Sequence, residues 1–212
     1  MSKQCTQATE PTQITPIRRK VSDLVLRRFD PAQDSYEELT QMLHHAFARL
    51  GAMGLNCTCV DQSAAVTRSR AEAGECFVVV CKDRIVGTMT LYGSDNGSAC
   101  SHYRDQRVAT VRQLGIDPLW QGLGIGKSLL AFAEHWAVKH GYDELALDTP
   151  YPADHLVKFY QSQGFRLIDL VRFGGKHYDS AILTKAPVVA RTLAAWTRQV
   201  LLPSARFVRI AA

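Results

Sequence analysis

The sequence predicts a mixed α/β domain built around one sheet, and three observations predict it. Short β-rich runs alternate with runs whose apolar residues recur three and four positions apart. Hydrophobic residues make up 46% of the 212-residue chain, enough to bury a sizeable core. Past the middle, "WQGLGIGKSLL" (120–130) sets three glycines in five positions, directly before an apolar helical pattern.

The elements follow in order. Residues 1–22 are polar at their start and carry Pro11 and Pro16, which predicts a flexible N-terminal arm. "DLVLRRFD" (23–30) reads as a strand. Tyr36, Leu39, Leu43, Ala46, Phe47 and Leu50 then repeat at helical spacing, with Gly51 as the expected stop. "AMGLNCTCV" reads as a loop, and Asp61 as the N-cap of a short helix reaching about Ala73. Residues 75–93 hold two β-rich runs around Lys82-Asp83, a hairpin signature. A polar loop leads to a strand over 108–118, where Gly115 suggests a bulge or a close backbone approach. Ile125, Leu129, Phe132, Ala133 and Trp136 line one helical face that closes at Lys139-His140-Gly141. "ELALD" (144–148) is a strand, "ADHLVKFYQSQG" a helix ending at Gly164, and two further strands flank Gly174-Gly175. Val189, Leu193, Trp196 and Val200 form an amphipathic terminal helix.

Composition narrows the function. No apolar run approaches the roughly 20 residues that span a bilayer, and the first twenty residues hold no apolar signal region. A cytoplasmic protein with no membrane partner is expected. None of the six cysteines forms a CxxC, so reduced thiols without a metal are expected. The net charge is +5, and no acid follows Asp179. Arg191, Arg198, Arg206 and Arg209 are spread along the tail without interleaved aromatics, so they read as a solvated face and not as a nucleic-acid patch.

Three glycines at a helix start need a reason, because each costs roughly 0.5–1 kcal/mol relative to alanine inside a helix. A strand, a glycine turn and a helix together make an anion cradle of free amides and aligned dipoles. A P-loop needs GxxxxGK[ST], but Gln121 stands where its first glycine belongs. A dinucleotide fingerprint needs GxGxxG, but Lys127 stands where its last glycine belongs. Gln121, Gly124 and Gly126 complete [QR]xxGx[GA]. With the preceding "LGIDPLW" and the downstream "FYQSQGF" (159–165), the chain resembles the GNAT superfamily of acyl-CoA-dependent N-acyltransferases over about residues 23–185. Ala153 and Leu156 depart from the Asn and Ala that many members carry there.

The resemblance implies a central, mostly antiparallel sheet flanked by helices, here with an extra C-terminal helical extension over 186–212. It implies acetyl-CoA as cosubstrate and no metal. Gln121, Gly122, Leu123, Gly124, Ile125, Gly126 and Lys127 would supply the pyrophosphate loop. Leu114 and Ile116 would pair with the pantetheine arm, with Gly115 between them allowing close approach. Tyr160 would be the general acid. For the base, Asp148 is a candidate, with His102, His155 and a water chain as others. The acceptor would be a small or peptidic amine, met by the first helices, the loop near 94–107 and the end of the chain, in a monomer or homodimer. A non-catalytic acyl-CoA-binding regulator of the same fold is the alternative.

Overall fold

In a computed structural model, residues 23–188 and 208–209 are described. The N-terminal arm and the terminal helix predicted from Val189 onward lie outside the described residues.

Strands β1 (Leu24–Arg28), β2 (Glu75–Cys81), β3 (Arg84–Tyr92), β4 (Val108–Ile116), β5 (Glu144–Pro150), β6 (Arg166–Val171), β7 (Ser180–Lys185) and the two-residue β8 (Val208–Arg209) form one sheet. Its order is β6-β7-β5-β4-β3-β2-β1-β8. Every neighbouring pair is antiparallel except β4 and β5. That is the mixed, mostly antiparallel sheet expected from the resemblance. β8 carries the chain back to the outer edge of β1, a pairing the sequence pattern does not signal.

Period-two alternation places a layer of helices on each face. From β2, Phe77 and Val79 join Leu129, Phe132 and Trp136 of α4 (Ile125–Lys139) in one core. Cys76, Val78 and Val80 turn the other way, toward Leu39, Met42 and Leu43 of α1 (Tyr36–Ala52). The Phe77 and Phe132 rings meet edge to face at 4.8 Å, a favoured aromatic geometry. Between α1 and β2 lie the four-residue α2 (Thr58–Asp61) and α3 (Ala64–Glu72). The helix α5 (Asp154–Ser162) follows β5.

Local chemistry sets most boundaries. The Ser35 side chain caps α1 by accepting from the amides of Glu37 and Glu38. Lys82 and Asp83 both take positive φ, the requirement of a two-residue type I′ hairpin. Two expected boundaries move. Gly51 lies inside α1, and it is Gly54, at φ +75, that adopts the left-handed turn after the helix. Asp61 ends α2 and caps nothing; Ser63 caps α3 by accepting from the Val66 amide. Serine wins because its short hydroxyl sits one residue before the first helical turn, where the free amides point.

Five of the six cysteines are described, and all five are free thiols. Among the described residues, no helix is long and apolar enough to cross a membrane.

Candidate active site

The site begins where β4 and β5 part. Their parallel pairing runs only from Val108 and Glu144 to Val111 and Leu147, although β4 continues to Ile116 and β5 to Pro150. Gln113 and Leu114 of β4 together face the single Met89 of β3, and Gln113 sits at φ +54. Such a bulge bends its strand, and here it accompanies the separation. The expected bulge at Gly115 is therefore displaced to Gln113. Gly115 serves close approach instead: a Cβ there would lie 3.1 Å from Ala46 Cβ and 3.2 Å from the Phe47 ring of α1.

A cleft of about 1020 Å³ opens in the gap. The Asp117 amide donates to Val86 O on β3. Peptide groups alternate sides along an antiparallel strand, so Leu114 and Ile116 present theirs to the vacated β5 side. The Ile116 carbonyl there already accepts from Gln121 Nε2 at 3.0 Å. Gln121 thus ties the loop to the strand end with its side chain.

At one end of the cleft the glycine loop turns into α4. Gly122 and Gly124 take φ +77 and +82, and a Cβ on either would meet no atom of the other described residues within 4 Å beyond its chain neighbours. Gly124 is the N-cap of α4 and offers no side-chain cap. The amides of residues 122–127 donate to no described group. Unpaired amides at a helix start, beneath open space, suit a phosphate group. Gly126 has a packing role as well, since its Cβ position lies 3.5 Å from Phe159 Cζ.

Deeper in the cleft, α5 and β5 supply the titratable groups. Tyr160, and not its neighbour Phe159, anchors α5 in the core. Val157 and Tyr160 face the sheet, Tyr160 is only 8% exposed, and Phe159 is half-buried. The Phe159 ring packs beside Gly126 of α4. The Tyr160 hydroxyl still lines the cleft and hydrogen-bonds no described residue. Burial, then the nearby Asp148 charge, pushes its pKa well up.

Asp148 lies on the cleft floor and accepts from the Tyr103 hydroxyl at 3.3 Å. Burial raises its pKa; Arg112 and the hydrogen bonds from Tyr103 and Ser180 oppose the shift without cancelling it. His155 also lines the cleft, and its pKa is lowered by burial and by Arg49. His102 does not line it: its Nε2 stands 3.2 Å from Glu144 at the start of β5. Sequence reasoning missed Tyr103, Tyr178 and Arg112 in this wall. Tyr103 had a faint signal, a lone aromatic in the polar loop "SHYRDQR".

A family model described as the acetyltransferase (GNAT) family matches residues 55–165, just over half of the chain. The chain belongs to the GNAT family. No curated protein sequence matches it significantly. Solved GNAT structures share its fold at low identity. A GNAT family acetyltransferase from Elizabethkingia anophelis, with acetyl-CoA bound, aligns at 17% identity and TM-score 0.54, covering 77% of this chain and 98% of its own. An acetyltransferase from Bacillus subtilis in complex with CoA aligns at 18% identity and TM-score 0.54, covering 78% and 99%. The ribosomal-protein-S18-alanine N-acetyltransferase from Escherichia coli aligns at 16% identity and TM-score 0.55, covering 79% and 96%.

Proposed function

We propose that this GNAT protein is an N-acetyltransferase that moves the acetyl group of acetyl-CoA directly to a primary amine. One observation carries the reading: a single cleft joins a loop of unpartnered amides at one end to Tyr160 and Asp148 further in. The neighbours solved with acetyl-CoA and with CoA support the choice of cosubstrate.

The residues fit the chemistry. The 122–127 amides and the α4 dipole hold the pyrophosphate, and Lys127 adds a positive charge beside it. The free edge of β4 at Leu114 and Ile116 aligns the pantetheine arm as an added strand. In the reaction the amine nitrogen bonds to the acetyl carbon, the C–S bond breaks, and sulfur leaves with the bonding pair. Three proton transfers then need managing; in one of them the nitrogen sheds its second proton as the amide forms, and that proton restores the phenol that protonates sulfur. An alkylammonium must lose its proton to attack, and a carboxylate made more basic by burial, Asp148, accepts it. The departing sulfur needs a proton, and Tyr160, kept protonated by burial, donates it.

A thiol-release assay with acetyl-CoA against a panel of amines and peptides tests this, run beside calorimetry of acetyl-CoA binding. Turnover with one or more amines is the expected result. Tight binding of acetyl-CoA with no thiol release across the panel would favour a non-catalytic acyl-CoA sensor.

A further inference from the structure

The inner wall of the cleft carries more positive charge than the proposed reaction uses. Arg70 of α3 and Lys176 of the β6–β7 loop both line it. Neither pairs with a carboxylate among the described residues. Arg70 Nη1 donates to Gln62 Oε1 at 2.7 Å and Cys59 Sγ at 3.3 Å. Lys176 Nζ donates to Asn56 O at 2.7 Å and Thr58 Oγ1 at 2.9 Å. Neutral acceptors hold both cations in place, and among the described residues the only carboxylate in the cleft on which Arg70 acts is the more distant Asp148. The two cations stand close together, since Lys176 bonds Thr58 and Arg70 bonds its neighbour Cys59.

The acids on this wall do not balance them. Asp95 is engaged by Arg112 at 2.9 Å. Arg112 is itself sandwiched between the rings of Tyr92 and Tyr103, with its Nε buried and unpartnered. Asp148 remains, and it is needed as the base. Nor do the phosphates of the cosubstrate explain the charge. Arg112 lies four residues before Ile116, roughly 13 Å back along β4 from the strand end that leads into the glycine loop. Arg70 and Lys176 stand beside Cys59 and Asn56, on the wall formed by α2, α3 and the β6–β7 loop.

Resting on the acetyltransferase reading above, we propose that the acceptor is an amine that also bears a carboxylate, and that Arg70 and Lys176 bind that carboxylate. An amine without an anion meets only repulsion at this wall in its ammonium form. An amino carboxylate brings its own counter-charge, while the same cations favour the neutral, attacking form of its amine. Arg70 and Lys176 are thereby specificity-determining residues.

The test uses three linear amines that differ only at the far end: 4-aminobutyrate, 4-aminobutanamide and putrescine. Thiol release at saturating acetyl-CoA and direct binding to the protein–CoA complex are read for each, with acetyl-CoA affinity measured first. The carboxylate should be preferred over the carboxamide by tenfold or more, and putrescine should rank last. Arg70→Gln and Lys176→Gln should each raise the carboxylate KM and reduce that preference. Both should leave the carboxamide KM and acetyl-CoA affinity unchanged. Failure of the parent to bind acetyl-CoA would overturn the function itself. With acetyl-CoA bound, equal use of carboxylate and carboxamide, preference for putrescine, or binding of none of the three overturns the proposal alone. So does a loss of acetyl-CoA affinity in either variant, which would assign these cations to the phosphates.

Discussion

Tyr103 donates its hydroxyl to Asp148 across 3.3 Å, which links the loop after β3 to the cleft floor. Tyr103 is buried, and burial pushes its own pKa well up, so it remains a donor at neutral pH. The bond holds the Asp148 carboxylate in place on the cleft floor. The arrangement also stores a cost. A carboxylate whose folded pKa lies above its unfolded value, ordinarily about 3.9, destabilises the fold once ionised.

Asp148→Asn should therefore separate activity from stability. The sign follows from the raised folded pKa: stability is fully present below the unfolded pKa and is lost as pH rises through the folded one. At pH 7 the parent bears that loss and the asparagine variant does not. The variant should melt higher at pH 7, by about 2–4 °C for each kcal/mol relieved, and no higher at acid pH. Its acetyl transfer should fall by roughly 10²–10⁴-fold, the usual value of a general base. Thermal melts at both pH values and steady-state kinetics check this; unchanged turnover removes Asp148 from the reaction.

Tyr160→Phe keeps the ring that packs against Phe159 and Phe165. It deletes a hydroxyl that bonds no described residue, so no internal hydrogen bond is lost. Melting temperature should stay near that of the parent while kcat falls roughly 10²–10⁴-fold and acetyl-CoA affinity holds. Near-parental kcat would leave the tyrosine a packing role only.

Much of this fold was legible because residue chemistry dictated it locally. The Lys82-Asp83 hairpin, the Gly124 turn and the Gly164 helix end each need a backbone that few residues tolerate, so the sequence marks them. The Gln113 bulge was not legible: a glutamine at positive φ carries no local signature and is held there by β3. Nor was the acceptor wall. Arg70 and Lys176 look like ordinary surface cations along the chain, and only tertiary folding brings both to one wall where neither pairs with a carboxylate of the described residues. The burial of Tyr160 over Phe159 is set by packing of α5 against the sheet, which the local spacing does not show.

Glu134 of α4 accepts from Lys185 Nζ at 2.8 Å and from the Val188 amide at 2.7 Å, with both ionic side chains nearly buried. The pair anchors the end of β7 to α4. Lys185→Met would strand the carboxylate away from water, and breaking a buried pair in this way costs about 3–5 kcal/mol. The double variant Lys185→Met with Glu134→Leu should recover most of that loss, because it leaves no lone buried charge. Denaturant unfolding of the parent, the single and the double variants measures both steps. Additive losses would mean that the pair is not coupled.

Gly124 joins backbone conformation to the proposed cosubstrate site. It caps α4 at φ +82, where a β-branched residue is strained by roughly 1–3 kcal/mol. A Cβ there meets no atom of the other described residues within 4 Å, which leaves open space over the proposed phosphate site. Gly124→Val should then lose acetyl-CoA affinity by about 100-fold or more through strain and occlusion together. Gly124→Asn isolates the second cause, because asparagine tolerates the left-handed conformation. It should melt close to the parent and still bind acetyl-CoA at least about tenfold more weakly, since its side chain stands over the free amides. Calorimetry on the two variants reads both effects. If Gly124→Asn binds like the parent while Gly124→Val does not, conformation alone governs the loop, and the amides of 122–127 are not the phosphate site.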